Sequence, residues 1–317
     1  MGKRSTFSGL ARFAQEVKIP VTHSTEETLK AGPYTGVLNG HSTSQTSKEV
    51  SLFVQKYDMS GSVPVFATMK DVPDKLKKYY AQRERFFSLY STPPGCLLDE
   101  EGWYSVTPER IASQIAERCR CDTILDAFCG VGGNAIAFAK TCQRVIALDI
   151  SPTRLALARH NAQIYGVAQH IEFILADYIS FAKAYSSAPR TTASRKIDVV
   201  FLSPPWGGPS YLSESVSSVM NSDSSAAGEM TPFSLSSIQP IHGADLFKLS
   251  RRITSNVAYY LPRNVDLHEV SALTLEGGSS KGDPQEFIEV EEEWMGQKLK
   301  ALTCYFGGLA DGQSEMF

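Results

Sequence analysis

The sequence predicts an α/β fold: a mostly parallel, doubly wound sheet that ends in an antiparallel C-terminal hairpin and is preceded by a small helical lid. Three observations carry that expectation. From residue 122 onward, short apolar runs alternate with helical patterns, the arrangement that gives parallel strands with helices on both faces. The first of these strands ends in a glycine-rich turn, "CGVGGN" (129–134), that opens a helix. The last two strands, "EFIEVEEEW" and "KLKALTCYFG", meet through the tight connection "MGQK" and read as a hairpin.

In chain order, residues 22–47 hold ten Ser or Thr and almost no bulky apolar side chains. Such a stretch cannot bury enough surface to offset its ordering entropy, so 1–64 is expected to be a flexible extension. Residues 65–105 are assigned to the lid, and within them "VPDKLKKYYAQRERFFSLY" (72–90) shows helical spacing of Leu76, Tyr79, Tyr80, Phe86 and Phe87 among basic residues. The main domain is expected over 106–312. "SVTPERIASQIAERC" carries a helix start, with Thr107 as N-cap and Pro108 at the first helical position. Strands follow at "DTILDAF", "RVIALDI", "IEFILADYI", "IDVVFLS" and "NVAYYLP". The helix "SPTRLALARHNAQIYG" is capped by Ser151, begins at Pro152 and closes at Gly166. The run "EVEEE" (289–293) reads as an exposed edge strand protected by charge. A second polar stretch, 213–230, reads as a Ser-rich loop or a substrate-covering lid.

The 317 residues, 42% hydrophobic and 21% charged with net charge −3, are those of an ordinary globular chain. No stretch approaches 18 uncharged apolar residues, so no membrane span is expected. The six cysteines form no C-x-x-C pair and have no His at zinc spacing; they read as small core residues, and no metal site is expected. A nucleic-acid role would need a local basic patch.

The chemistry concentrates at strand ends, where ligands bind in doubly wound sheets. Gly130, Gly132 and Gly133 let backbone approach a ligand closely. Asp149, 19 residues beyond Gly130 at the end of the next strand, stands where a carboxylate accepts from both ribose hydroxyls of a nucleotide-like cofactor. The glycines alone also fit a nicotinamide dinucleotide. Asp126, four residues before Gly130, favours a cationic ligand over an anionic pyrophosphate; S-adenosylmethionine carries an ammonium and a sulfonium and no phosphate. Asp177 ends the third strand and could accept from an adenine amino group. A loop cap or a surface position is the alternative for each Asp.

The fourth strand ends in "SPPWGG" (203–208). Two prolines cannot extend a ladder, so the chain leaves the sheet there with its carbonyls turned outward. Ser203, Pro204 and Trp206 together offer acceptors for an amine nitrogen and a flat face for a base, the arrangement for methylating an amino group on a planar ring. A surface Pro-Pro turn with a packing tryptophan is the alternative.

"DAFCGVGGN", "VIALDI", "ALARHNAQIYG", "IEFILADY", "VVFLSPPWGGPSY", "LPRN" and "EGWYSVTPE" together resemble the trimethylguanosine synthase family over about residues 70–310. The resemblance implies a Rossmann-like class I methyltransferase fold and transfer of methyl groups from S-adenosylmethionine to the exocyclic N2 of 7-methylguanosine caps on small nuclear and nucleolar RNAs. It further implies Trp206 stacked on the cap guanine, Ser203 beside N2, Tyr211 flanking the cap pocket, and Lys78 and Arg263 on the triphosphate bridge. Phe87 and Thr107 would come from the lid over the cofactor, with Asp126, Gly130, Gly132, Asp149 and Asp177 below it. Nuclear residence, with nucleolus and cytoplasm as further locations, a monomeric state and small ribonucleoprotein partners follow from the same resemblance. The Ser-rich insert after Tyr211 and the stretch 185–196 depart from the family's compact pattern. Competing readings are an amino-methyltransferase acting on an internal RNA base or a protein amide, and a cap-binding protein without catalysis. Lys78 also fits a solvated helix face.

Overall fold

The computed structural model describes residues 55–188, 196–207, 232–275 and 286–310. Tyr211, the stretches 22–47 and 213–230, and most of the predicted extension lie outside them.

Seven strands form one sheet, and in chain order they are β1 (Thr123–Asp126), β2 (Arg144–Asp149), β3 (Ile171–Leu175), β4 (Val199–Leu202), β5 (Val257–Pro262), β6 (Glu289–Met295) and β7 (Lys298–Phe306). The spatial order is β3-β2-β1-β4-β5-β7-β6. The first five pair in parallel, and β7 runs antiparallel between β5 and β6. The order reverses between β1 and β4, which places the ligand crevice beyond their carboxyl ends. Strands β1, β4 and β5 are buried along their whole length, as expected for strands covered on both faces. The predicted doubly wound sheet with an antiparallel hairpin is the one observed. Among the described residues no helix is long and apolar enough to cross a membrane, and no His, Cys, Asp and Glu cluster could hold a metal.

The helices before the sheet are α1 (Asp74–Tyr80), α2 (Arg83–Phe86), α3 (Glu100–Ser105) and α4 (Glu109–Arg118). The single helical stretch read over 72–90 is thus two short helices broken at Ala81–Gln82. Their apolar residues, with Trp103 and Ile111, join the core that contains Ile124 and Phe201. Packing begins before residue 65: the Met59 amide donates to His160 Nδ1 at 3.2 Å.

Within the sheet follow α5 (Gly133–Phe138), α6 (Pro152–Ile164), α7 (Tyr178–Ser187), α8 (Gly243–Arg251) and α9 (Leu267–Leu275). Helix α6 starts as its sequence says, with Ser151 accepting from the Arg154 amide and Pro152 at the first position. It ends before Gly166, whose φ is +67°. Thr107 departs from its expected role. Helix α4 begins at Glu109 without a side-chain cap, because the Thr107 hydroxyl turns inward to accept from Asn134 Nδ2 at 2.9 Å.

The "EVEEE" strand lies at the sheet edge, but its charges are not all exposed. Arg118 of α4 makes a two-pronged pair with Glu289, at 3.0 and 2.7 Å, and stacks 4.3 Å from the Tyr305 ring. Glu293 is fully buried and accepts from Thr303 Oγ1 at 2.5 Å. Alternation on a strand sends every second residue inward, so one face of this acidic run is held by α4 and β7.

One side chain ties these parts together. Asn161 of α6 is fully buried; its Oδ1 accepts from the Leu97 amide at 2.8 Å, and its Nδ2 donates to the Leu97 and Val131 carbonyls at 2.9 Å each. It thereby joins the N-terminal helical segment to the glycine turn. Asn161→Ala would strand three buried backbone groups and is expected to cost roughly 3 kcal/mol. A thermal melt should then show a midpoint lower by on the order of 10 °C; an unchanged midpoint would contradict this role.

Candidate active site

The glycine turn sits at the end of β1 and is held on three sides. Below it, Asp149 at the end of β2 accepts from the Gly130 amide at 3.0 Å through Oδ2 and from the Ser151 amide at 2.7 Å through Oδ1. Beside it, Gly132 (φ +93°) is left-handed and packs so closely on α6 that a Cβ there would lie 3.1 Å from Ala158, which only glycine permits. Above it, a Cβ on Gly102 of α3 would lie 2.9 Å from the Val131 side chain, so α3 packs directly on the turn. Thr107 reaches the start of α5 through Asn134.

The open part of the cradle is Gly130, where an added Cβ would meet nothing within 4 Å. Asp126 closes it from the β1 side. This carboxylate is fully buried, and neither oxygen has a hydrogen-bond partner. Burial pushes its pKa up to about 7, and the charge of Asp149 adds to the rise; the nearby Phe128 and Ala135 amides offset it in part without reaching bonding geometry. A buried carboxylate with no partner beside a second one is costly unless a cation joins it.

The two remaining cofactor candidates take different places. Asp177 is exposed and caps α7, with Oδ2 accepting from the Ser180 amide and hydroxyl at 2.9 and 2.8 Å. Those contacts hold its pKa below the usual value against a burial effect in the other direction. Phe87 is buried in the core with its ring 6.1 Å from that of Tyr165, and Phe86 is buried as well.

On the other side of the switch point, β4 ends at Leu202 and the Ser203–Trp206 turn begins. The Ala127 amide donates to the Phe201 carbonyl at 3.1 Å, and the Ser203 hydroxyl donates to the Phe128 carbonyl at 3.4 Å. The turn therefore lies directly beside the Asp126–Phe128 segment. Pro205's carbonyl accepts from the Gln239 amide at 3.4 Å; Pro204 is buried, and Ser203 is half-buried. The Trp206 ring stands 5.1 Å from that of Tyr260, inclined by 34°.

Residues 121–309 match the family described as RNA cap guanine-N2 methyltransferase. The chain belongs to this family. The trimethylguanosine synthase of Schizosaccharomyces pombe is 37% identical over 246 residues, 74% of this chain and 87% of that protein. That of Saccharomyces cerevisiae is 35% identical over 205 residues, 63% of this chain and 58% of that protein.

The reaction of a cap guanine-N2 methyltransferase draws on S-adenosylmethionine, and the site fits it. Bare Asp126 beside an open glycine cradle suits a cationic amino acid moiety, and a pyrophosphate there would meet two carboxylates. The substrate candidates also converge. Lys78 lies exposed on α1, 4.8 Å over the Tyr79 ring. Arg263 follows β5, and the pairing of Pro262 with Ala301 sets it beside Lys300. The charges of Arg263 and Lys78 are among those that, after burial, lower the Lys300 pKa.

Lys300, Tyr260 and Asn161 were not singled out from the sequence. Asn161 carried a signal, an amide in mid-helix where such side chains compete with backbone bonding. Tyr260 and Lys300 carried none, because their place depends on how β7 pairs.

The titration of Asp126 gives a direction. A carboxyl bound to its proton more tightly in the folded state loses stabilisation as pH rises from about 4 toward 7. A cationic ligand reverses the preference and favours the ionised form. Affinity for S-adenosylmethionine is therefore expected to weaken by up to about tenfold per unit below pH 7. Asp126→Asn should bind more weakly and with a flat profile; calorimetry across pH checks both, and a flat wild-type profile would refute the assignment.

Proposed function

We propose that this protein converts 7-methylguanosine caps to 2,2,7-trimethylguanosine caps by two successive methylations at N2, on small nuclear and small nucleolar RNAs. The observation that carries this reading is the Ser203–Trp206 turn, backed by Tyr260 and set against the Asp126 segment. The two relatives named trimethylguanosine synthase support the product. Nuclear residence, a monomeric state and delivery of the RNA by small ribonucleoprotein proteins belong to the same proposal.

Trp206 takes the cap guanine on its indole, a contact worth ~1–3 kcal/mol for a base on an aromatic ring. The 7-methylated base is cationic and gains further from the ring's negative face. Ser203 and the Pro204 carbonyl hold the exocyclic amine by its hydrogens, which directs its lone pair. Lys78, Arg263 and Lys300 bind the triphosphate bridge, for which charge-assisted hydrogen bonds are the strong contacts. Asp126 and Asp149, with the Gly130 cradle, hold the cofactor, and the 65–105 segment covers it as a lid. S-adenosylmethionine supplies an electrophilic methyl group on its sulfonium. Orientation of the amine toward it is the protein's main contribution, and well-arranged pairs of this kind gain ~7–11 kcal/mol. The proton leaving N2 passes to solvent.

Purified protein with labelled S-adenosylmethionine should methylate a 7-methylguanosine cap analogue and leave both the unmethylated cap and an uncapped RNA unlabelled. Trp206→Ala should lower kcat/KM on the cap analogue by about 10- to 100-fold while cofactor binding persists. Label in the uncapped RNA would refute the cap as substrate.

A further inference from the structure

A cap's 5′–5′ bridge presents one ionisable oxygen on each of three phosphates, and the structure gathers more cations than it needs. Lys300 has its pKa lowered first by burial and then by the charges of Lys298, Arg263, Arg85 and Lys78. None of these five has an ion-pair partner among the described residues. Lys75 and Lys77, on the same helix as Lys78, each hold a carboxylate instead.

Their order in space follows from the strands. Tyr260, beside Trp206, precedes Arg263 by three residues, about 10 Å at the rise of a strand. Arg263 runs beside Lys300, since Pro262 pairs with Ala301. Between the pairs Glu293–Ala301 and Trp294–Leu299, Lys300 has no partner across the hairpin; it is the extra residue of a β-bulge, which re-aims a side chain. Ala301 accordingly packs into the core beneath α1–α4 and Leu299 into the core on the other face. Lys298 lies two residues farther out, at the hairpin turn, and is exposed, as is Arg85 on α2. Arg263 and Lys300 are half-buried. Arg263 and Lys300, next along the sheet from Tyr260 and Trp206, are thus the sheltered cations of the group, and Lys298 and Arg85 lie on its open side.

We propose that Lys298 and Arg85 form a phosphodiester-binding site for the RNA chain just downstream of the cap. The inference rests on the cap reading above and adds that the enzyme senses the RNA body as well as the cap. A single strand continuing from the bridge would reach these two cations next, and its phosphates would supply the counter-charge they lack.

The test compares two substrates with the same 7-methylguanosine cap: a cap dinucleotide and a capped RNA of about 20 nucleotides. In Arg85→Ala/Lys298→Ala, kcat/KM on the capped RNA should fall about tenfold or more, and its salt dependence should flatten by about 1.4 in log–log slope for two lost single-strand contacts. On the dinucleotide, the variant should match the wild type within about twofold, with an unchanged melting temperature as a control on folding. Equal losses on both substrates would overturn the proposal by assigning the pair to the bridge, and no loss on either would overturn it outright. Wild-type inactivity on both would instead refute the cap reading.

Discussion

The carboxamide of Asn161 decides whether the cofactor cradle exists. Two irregular segments, one at Leu97 and one at Val131, bring backbone groups into the interior where no ladder can bond them. Buried backbone donors and acceptors must be paired, and an amide side chain is both donor and acceptor. Asn161 meets three of them at once. Its helix is anchored independently by Ser151, and His160, one position earlier, reaches the Gly95 carbonyl at 2.9 Å. The Gly95–Leu97 segment and the glycine turn are thus fastened to the same stretch of α6. Close packing of Gly102 on Val131, and of Gly133 on Val106, then follows, because neither segment can move away.

This anchoring holds an electrostatically unfavourable arrangement in place. Two carboxylates at neighbouring strand ends are treated differently. Asp149 is bonded at both oxygens by backbone amides, whereas Asp126 has no partner. The same fold shows how it handles buried charge where nothing is to be bound: Arg118 meets Glu289, the Tyr305 ring and the Leu309 carbonyl. Among the described carboxylates, Asp126 is the one with both oxygens buried and unbonded, and it lies at the crevice where a cationic ligand would complete it. Unsatisfied buried groups of this kind concentrate at functional sites.

What could be read in the sequence was whatever is local. The strand–helix alternation, the Ser151–Pro152 start, the Gly166 stop and the Ser-Pro-Pro-Trp exit from β4 all depend on neighbours within a few residues. Thr107 was misread because its local pattern is a good cap, and a contact with Asn134, 27 residues away, drew its hydroxyl inward. The Asn161 bonds span 64 and 30 residues. Glu293 looked like an exposed charge because its burial depends on the register of β6 against β7. Lys300 looked like one basic residue in an alternating strand; a single bulge takes it out of that alternation, beside Arg263. Register and bulges are set by the whole sheet.

The two halves of the site consequently have separate origins. The parallel strands, with the N-terminal helical segment packed on the glycine turn, make a place suited to a cationic cofactor, and this half uses turns common to many doubly wound sheets. The antiparallel pair shapes the half proposed for the substrate: β7 pairs along β5 from Val257 to Pro262, bracing the strand that carries Tyr260 behind Trp206, and it brings Lys300 beside Arg263. Without β7, β5 would be an edge strand and Arg263 would have no partner in the cation cluster. The place of this cation cluster is therefore exposed to small changes in one hairpin, while the strand ends of β1 and β4 stay as they are. A one-residue shift at the bulge would return Lys300 to the opposite face and leave the cofactor cradle untouched.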